Sequence, residues 1–456
     1  MIILSIETSC DETAVSVVEA IGGLENPVFS VLGNALFSQI DIHEEFGGVV
    51  PMVAKREHAK RLPLLLKKVL ADAHIYVMAD MWYSEKMWAE LKKILEREEG
   101  LYDELKSILE NMKKPNIDVI SVTAGPGLAP ALWVGVSFAE ALGKLWNIPV
   151  VPANHMEGHI ASILLDGSGV KSEKAPTLQP RRADGEPTRS SASGSRPKAS
   201  ALKVKSNNTI QFPALALLIS GGHTELVKIK NWGEYKILGE TRDDAVGEAF
   251  DKVARMLGLS YPGGPQISAL AEISRKRAKK LLRSSASGPR ESARKFVIKF
   301  PRPMIHSGDY DFSFAGLKTS VLYYLRDNHG TNKEDVALNP SVDGSGDHRQ
   351  NFICDVAREF EDAVVEVLVE KTAKAMKDSG AKTLIIAGGV IANKKLREEF
   401  IKFEKKYNDL IVRIPSMTMA GDNALMIAYA TYINVTLHPE LMRNPKKIIA
   451  NGNLKL

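Results

Sequence analysis

An α/β protein of two duplicated lobes, with a ligand crevice between them, is the fold class that the sequence predicts. Residues 2–18, IILSIETSCDETAVSVV, are an apolar run, a tight polar turn and an alternating apolar run, the pattern of a β-hairpin. Residues 214–230, ALALLISGGHTELVKIK, repeat that plan. A second pair, DVISVTAGPG from Asp118 and TLIIAGGVIAN from Thr383, each runs from a buried strand into a glycine-rich loop and then a helical stretch. Strands alternating with helices form α/β layers, and the crevice between two such lobes is where a ligand binds.

The intervening elements follow from periodicity and composition. Between 76 and 114, Trp88, Leu91, Leu95, Leu101, Leu105, Ile108 and Met112 recur at three- to four-residue spacing among Glu and Lys, the period of an amphipathic helix. Gly100 is expected to divide this region into two short helices that pack onto the body, with a partner-binding surface as the alternative role. The 21 residues from Val119 to Ala139 carry no charge, but Gly125, Pro126, Gly127 and Pro130 interrupt them. A strand, a loop and a buried helix account for them better than a membrane span.

Composition excludes several classes. At 44% hydrophobic and 25% charged residues, the 456-residue chain is that of a globular protein of enzyme size. Its two cysteines, Cys10 and Cys354, are too few for a disulfide framework or a thiolate zinc cage. No charged segment precedes the apolar start MIILSI, so no secretory signal is expected and a reducing, cytoplasmic setting is the default.

The net charge of +5 is unevenly placed. Segment 166–210 carries a net of +5 and segment 275–299 a net of +9, which leaves −9 for all other residues. Both segments are rich in Ser, Ala, Gly and Pro, and both contain RSSASG, at 189–194 and 283–288. They read as low-complexity inserts that cannot bury a core, or as arms that attract nucleic-acid phosphates.

The turns carry chemistry. In Ser220–Thr224, SGGHT, consecutive glycines let backbone N–H groups approach an anion, and the hydroxyls add donors. The acidic turn SCDET offers Asp11 and Glu12, which can hold a cation or orient a nucleophile. AGGVIAN places two glycines before Asn393, suited to a nucleotide against a helix start.

The sharpest local signal is HMEGH. At i and i+4, His155 and His159 lie on one face of a helix and can chelate one metal, with Asp422 of AGDNA a candidate third ligand. The alternative is a pair of hydrogen-bonded buried histidines. A metalloprotease of the HExxH type needs Glu directly after the first His. Here Met156 stands there, and Glu157 points about 100° further round the helix.

Taken in order, IETSCDET, HEEFGGVVP at 43–51, TAGPGL, NHMEGH, LISGGHT, GEAFDKVARMLGL with YPGGP, FPRPM, DFSFAGLKT, AGGVIAN and GDNALMIAYA resemble the tRNA adenosine threonylcarbamoyltransferase (TsaD) family, bacterial type. About two thirds of the chain takes part. The resemblance implies the actin, sugar-kinase and heat-shock ATPase superfold, with the ligand in the interlobe cleft. It implies one divalent metal per subunit, Fe2+ ahead of Zn2+, held by His155, His159 and Asp422. Threonylcarbamoyl-AMP is then expected along Leu218, Ile219, Ser220, Gly221 and Gly222, with Asp251, Gly264 and Asn393 around its adenosine. Asp11 and Glu12 sit in the family's acidic turn and are the candidate catalytic pair. The implied reaction moves the threonylcarbamoyl group to the exocyclic amine of adenosine 37 in tRNAs reading ANN codons and releases AMP. Implied partners are tRNA, a smaller paralogue (TsaB-like), an ATPase (TsaE-like) and an upstream adenylate-forming enzyme, with no membrane.

By this reading the N-terminal lobe spans 1–152 with a helical insert at 76–114, and the C-terminal lobe spans 153–424 with inserts at 166–210, 275–299 and 329–349. Residues 425–456 are expected to return to the first lobe. Competing readings are an ATPase or kinase of the same superfold, for which two histidines are unusual Mg2+ ligands, and a non-catalytic scaffold, which would lack the metal ligands.

Overall fold

Among the described residues, eleven strands carry the architecture: β1 (Ile2–Glu7), β2 (Glu12–Ile21), β3 (Val28–Ser38), β4 (Val119–Gly125), β5 (Val150–Asn154), β6 (Leu202–Lys205), β7 (Ala214–Ile219), β8 (Thr224–Asn231), β9 (Glu234–Glu240), β10 (Thr383–Ala387) and β11 (Ile411–Arg413). The computed structural model describes residues 1–78, 83–165, 202–205, 210–284, 298–329, 346–407, 410–444 and 447–456.

The duplication is visible in the strand order. One sheet runs β5-β4-β1-β2-β3-β6 and the other β11-β10-β7-β8-β9. In each, a hairpin pairs antiparallel (Ile6 opposite Val15, Leu217 opposite Leu226), and its first strand pairs parallel with the next unit (Ile6 opposite Val122, Ile386 opposite Leu217). Strands β4, β7 and β10 are buried along their whole length, as expected where helices cover both faces, whereas β9 at an edge alternates. Among the described strands, β6 alone has no counterpart in the second sheet. It belongs to the 166–210 segment expected to be low-complexity throughout, and it pairs antiparallel with β3 through backbone hydrogen bonds. Residues 166–201 and 206–209 of that segment lie outside the described residues.

Three large apolar clusters hold the layers among the described residues, beside a small fourth of Ala153, Met426 and Ile427. One packs Leu4, Ile6 and Val15 against the helix Pro51–Asp72, another packs Leu217 and Leu226 against the helix Gly346–Ser379, and a third lies between the sheets. In that third cluster the helices His155–Ala161 and Ala424–Leu437 supply Met156, Ile160 and Tyr429 beside Ile3 and Ala216. Ala424–Leu437 is buried nearly all round because it packs on the first sheet. There Ser5 Oγ donates to Ala424 O at 2.7 Å, and Ser121 bonds Thr431. Beyond it, Ile448 joins the first lobe's core and Asn451 N donates to Ala124 O.

The helical region at 76–114 forms two helices, Glu85–Ile94 and Leu101–Leu109, with Gly100 between them at φ 76°. All seven residues of the apolar stripe are buried. They join the first-lobe core beside Trp146, and Glu98, 3% exposed, anchors the second helix's entry to Lys55 Nζ at 3.2 Å. Val119–Ala139 resolves into β4, a loop and the start of the buried helix Ala129–Trp146. Among the described residues no helix is long and apolar enough to cross a membrane.

The described start of the basic segment 275–299, residues 275–284, departs from expectation. Residues 275–284 continue the helix Gly263–Ser284, and its inward arginines are neutralised. Arg275 pairs with Glu361 (2.5 Å) and Asp362, and Arg277 pairs with Asp355 (2.6 Å), all on the helix Gly346–Ser379. The acids that make this stretch structural lie about eighty residues away, so composition over 275–299 cannot reveal them. That partner helix begins inside the expected 329–349 insert, while 285–297 and 330–345 lie outside the described residues.

Candidate active site

Parallel pairing aligns the C-terminal ends of β1, β4 and β5, so Glu7, Thr123 and the Asn154–His155 junction meet at one edge of the sheet. Such an edge is where ligands bind in α/β proteins. Asn154 caps the following helix, its Oδ1 accepting from Met156 N at 2.8 Å and Glu157 N at 3.2 Å. That cap turns both imidazoles inward. Gly158 lets the helix approach Ala424–Leu437, since a Cβ there would lie 3.0 Å from Ile427 Cδ1 and 3.1 Å from Met426 Cγ. Asn423 caps that second helix by accepting from Met426 N at 3.0 Å, which places its neighbour Asp422 at the first helix.

The three residues converge. Asp422 Oδ1 lies 3.4 Å from His155 Nε2 and 3.2 Å from His159 Nε2, and the donor atoms all lie within 4.8 Å of one another. Both ring nitrogens of His159 are buried without a hydrogen bond among the described residues. Orphaned imidazole nitrogens beside a carboxylate are a donor set that a divalent cation satisfies. Burial alone would lift the Asp422 carboxyl, but His155 and His159 hold it well below the usual carboxylate range. Conversely, burial would depress the His155 imidazole, while Asp422 and Glu7 raise it to about 9.

Glu7 was not singled out from the sequence. It is fully buried, and its Oε2 lies 3.2 Å from His155 Nδ1 and accepts from Thr123 Oγ1 at 2.5 Å, while Oε1 accepts from Ser9 N at 2.5 Å. An acid ending a strand that is apolar but for Ser5 is the one local trace of it.

The acidic turn connects β1 to β2 and faces the second lobe. Burial, then Asp11 and Asp422, push the Glu12 carboxyl well above its ordinary value. The Cys10 thiol is likewise raised by burial and Asp11, the opposite of an activated nucleophile. Beneath the turn runs a chain of side chains that sequence reading missed. Val50 N donates to His43 Nδ1 (3.4 Å), His43 Nε2 is 3.2 Å from Gln39 Oε1, Gln39 Nε2 is 3.3 Å from His58 Nδ1, and His58 Nε2 is 3.0 Å from the Cys10 carbonyl.

Across the cleft, Tyr261 OH donates to Asp11 Oδ2 at 3.4 Å, and Arg255 donates to the Gly47 carbonyl, joining the two lobes. Asp251 accepts from Gly263 N at 2.8 Å; burial outweighs that bond and, with Asp11 nearby, raises its carboxyl. A Cβ at Gly221, Gly222 or Gly264 would meet open space. Leu218 and Ile219 are buried at the end of β7, with Ser220 Oγ accepting from His223 N at 3.1 Å. Burial and the two helix imidazoles depress the His223 ring to about 4. Asn393 is differently placed. Its Oδ1 caps Leu396 N (2.9 Å) and its Nδ2 donates to Ser268 Oγ (2.8 Å) and Glu361 Oε1 (2.7 Å), so the side chain is committed to protein partners. Glu157 turns away from the imidazole pair, its Oε2 accepting from Asn434 Nδ2 at 2.8 Å.

Comparison with known proteins bears on this geometry. The family model "TsaD: tRNA N6-adenosine threonylcarbamoyltransferase" matches residues 30–79, 98–180 and 198–429. Curated proteins named tRNA N6-adenosine threonylcarbamoyltransferase are similar along nearly the whole chain. The one from Polynucleobacter asymbioticus is 37% identical over 94% of this chain and 91% of its own, and the one from Ralstonia pickettii is 37% identical over 96% and 93%. Among solved structures, component A of the Acidaminococcus fermentans (R)-2-hydroxyglutaryl-CoA dehydratase is similar at 10% identity with a TM-score of 0.38, over 95% of this chain and 99% of that one. With the family model matched on both lobes and relatives alike from end to end, this chain belongs to the tRNA N6-adenosine threonylcarbamoyltransferase family.

Proposed function

We propose that this protein is an acyltransferase that moves the threonylcarbamoyl group from threonylcarbamoyl-AMP to the exocyclic amine of adenosine 37 in tRNAs reading ANN codons, releasing AMP. Family membership supports the activity, and the observation that carries the site is the convergence of His155, His159 and Asp422 opposite the acidic turn. The amine nitrogen attacks the carbamoyl carbon, the bond from that carbon to the phosphate oxygen breaks, AMP leaves with the electron pair, and the amine gives up a proton.

This chain's residues divide the work. Backbone at Leu218, Ile219, Ser220, Gly221 and Gly222 cradles the adenylate, whose phosphate approaches the bare glycines. Asp251 accepts from the ribose hydroxyls, as acids do in other nucleotide sites. Gly264 leaves room beside it, and Asn393 shapes the adenosine pocket through its cap and its bonds to Ser268 and Glu361. Glu12, with its carboxyl raised by burial and Asp11, is suited to take the released proton, and Asp11 orients it. His155, His159 and Asp422 would hold one divalent metal, Fe2+ ahead of Zn2+ by the family resemblance, and two imidazoles with one carboxylate suit either ion. When bound, such a metal supplies Lewis-acid polarisation of an oxygen.

The ATPase or kinase reading is not favoured by the relatives, and the protease reading fails on Glu157, which is bonded to Asn434 rather than aimed at the imidazoles. We place the reaction in the cytoplasm, with a smaller TsaB-like paralogue, a TsaE-like ATPase and an adenylate-forming enzyme as partners. The test is incorporation of labelled threonine into tRNA with bicarbonate, ATP and those partners, beside His155→Ala. Label that requires this protein and vanishes in the variant is expected; no label with adenylate demonstrably present overturns the reading.

A further inference from the structure

We infer that Glu7 is a positioning residue that fixes the tautomer and direction of His155 as a metal ligand and ties that ligand to the acidic turn. The inference rests on the metal reading above. Glu7 has no solvent contact, and three groups converge on its carboxylate: Ser9 N, Thr123 Oγ1 and His155 Nδ1. Two of these are donors by chemistry or geometry, the backbone N–H and the threonine hydroxyl. A buried carboxylate held by two donors is an acceptor-only group, so the facing Nδ1 must carry its proton. Neutral imidazole has one N–H. In the metal-bound form, with that proton kept on Nδ1, Nε2 would be free to ligate on the side of Asp422 Oδ1 and of the His159 ring, 4.7 Å away centroid to centroid.

The two imidazoles therefore differ. His159 Nδ1 has no partner among the described residues, whereas His155 is oriented by a fixed acceptor. Hydrogen bonding from a carboxylate to a ligating histidine also makes the other nitrogen more basic, and removing such a partner weakens metal affinity about 10- to 100-fold. Because Oε1 of the same carboxylate holds Ser9 N, two residues before Asp11, movement at His155 is transmitted to the acidic turn.

The test uses the full chain stripped of metal and titrated with Co2+ against a chromophoric chelator. Glu7→Gln keeps the shape but not the charge, and it is expected to bind Co2+ about 10- to 100-fold more weakly, with shifted ligand-field bands. Thr123→Val, which removes one donor to Glu7 without touching an imidazole, is expected to shift the bands in the same direction by less. Circular dichroism checks the fold of both. Wild type that fails to bind one equivalent of Co2+ overturns the metal reading itself. Wild type that binds, with Glu7→Gln folded and equal to it in affinity and spectrum, overturns the role of Glu7 alone.

Discussion

His58 Nε2 donates to the carbonyl of Cys10 across 3.0 Å, so a histidine on the helix Pro51–Asp72 carries the turn that bears Asp11 and Glu12. Its other nitrogen accepts from Thr13 Oγ1 at 2.7 Å, which makes the ring neutral, and burial depresses it to about 4. In the unfolded chain the same ring titrates near 6.5. The folded form thus binds fewer protons, and stability is lost as pH falls from about 6.5 to about 4, by on the order of 3 kcal/mol in full. Thermal melts across that window should show the loss for wild type and a shallower acid limb for His58→Gln. Equal limbs would remove His58 from the account.

Gly127 sits at φ 153°, and a Cβ there would lie 2.6 Å from Ser9 O. Gly127→Ala should push the glycine-rich loop off the acidic turn, costing about 1–3 kcal/mol as overpacking does and lowering turnover with little change in tRNA affinity. Gly100→Ala is the control. Gly100 is also left-handed but meets nothing within 4 Å, so only about 1 kcal/mol of backbone strain is expected, with turnover intact.

The helix Gly263–Ser284 separates two kinds of basic residue. Arg275→Ala strands Glu361, 1% exposed, which also holds Ser268 and Asn393. A loss of about 3 kcal/mol is expected from breaking that buried pair, together with weaker adenylate binding by calorimetry. Lys276, Lys279 and Lys280 are exposed. Replacing them with Ala should leave the melting temperature unchanged, and each one that touches tRNA phosphate should lower the salt slope of tRNA binding by about 0.9. Deletion of 285–297 tests the adjoining segment in the same assay, and an unchanged slope removes it as a contact.

Metal removal gives a further check. A chelator should lower the melting temperature, and metal added at 100 times its dissociation constant should restore about 2.7 kcal/mol. Asp422→Asn should abolish the metal-dependent part of that shift and also lower the apo melting temperature, because the charged carboxylate that the two imidazoles hold below its ordinary range is lost and they keep no anionic partner there. A melting curve insensitive to Fe2+, Zn2+ and Co2+ would argue against a structural metal at this cluster.

Much was legible because it is local. Hairpins at 2–18 and 214–230, the paired strands at Asp118 and Thr383, and the helix-forming stripe from Trp88 to Met112 depend on periods of two and 3.6 residues, which neighbouring side chains display directly. The i, i+4 spacing of His155 and His159 sets one face of one helix for the same reason. Asn393 shows the limit of such reading. Its loop position suggests an adenosine contact, but the groups that hold its amide, Ser268 and Glu361, come from elsewhere in the chain, the nearer 32 residues away, and no local pattern displays them.

By itself, then, the sequence determined the duplicated α/β plan, the hairpins, the helical insert, the imidazole pair and the family. Tertiary structure alone decided how Asp422, only a candidate from the sequence, is brought beside those imidazoles, that Glu7 orients one of them, that His58 and Gln39 support the acidic turn, and that Arg275 and Arg277 face inward to acids on another helix. The physical reason is common to all four. A buried charge or imidazole is specified by the partner that satisfies it, and that partner comes from a distant part of the chain through packing of strand ends and helix crossings, which no local period encodes.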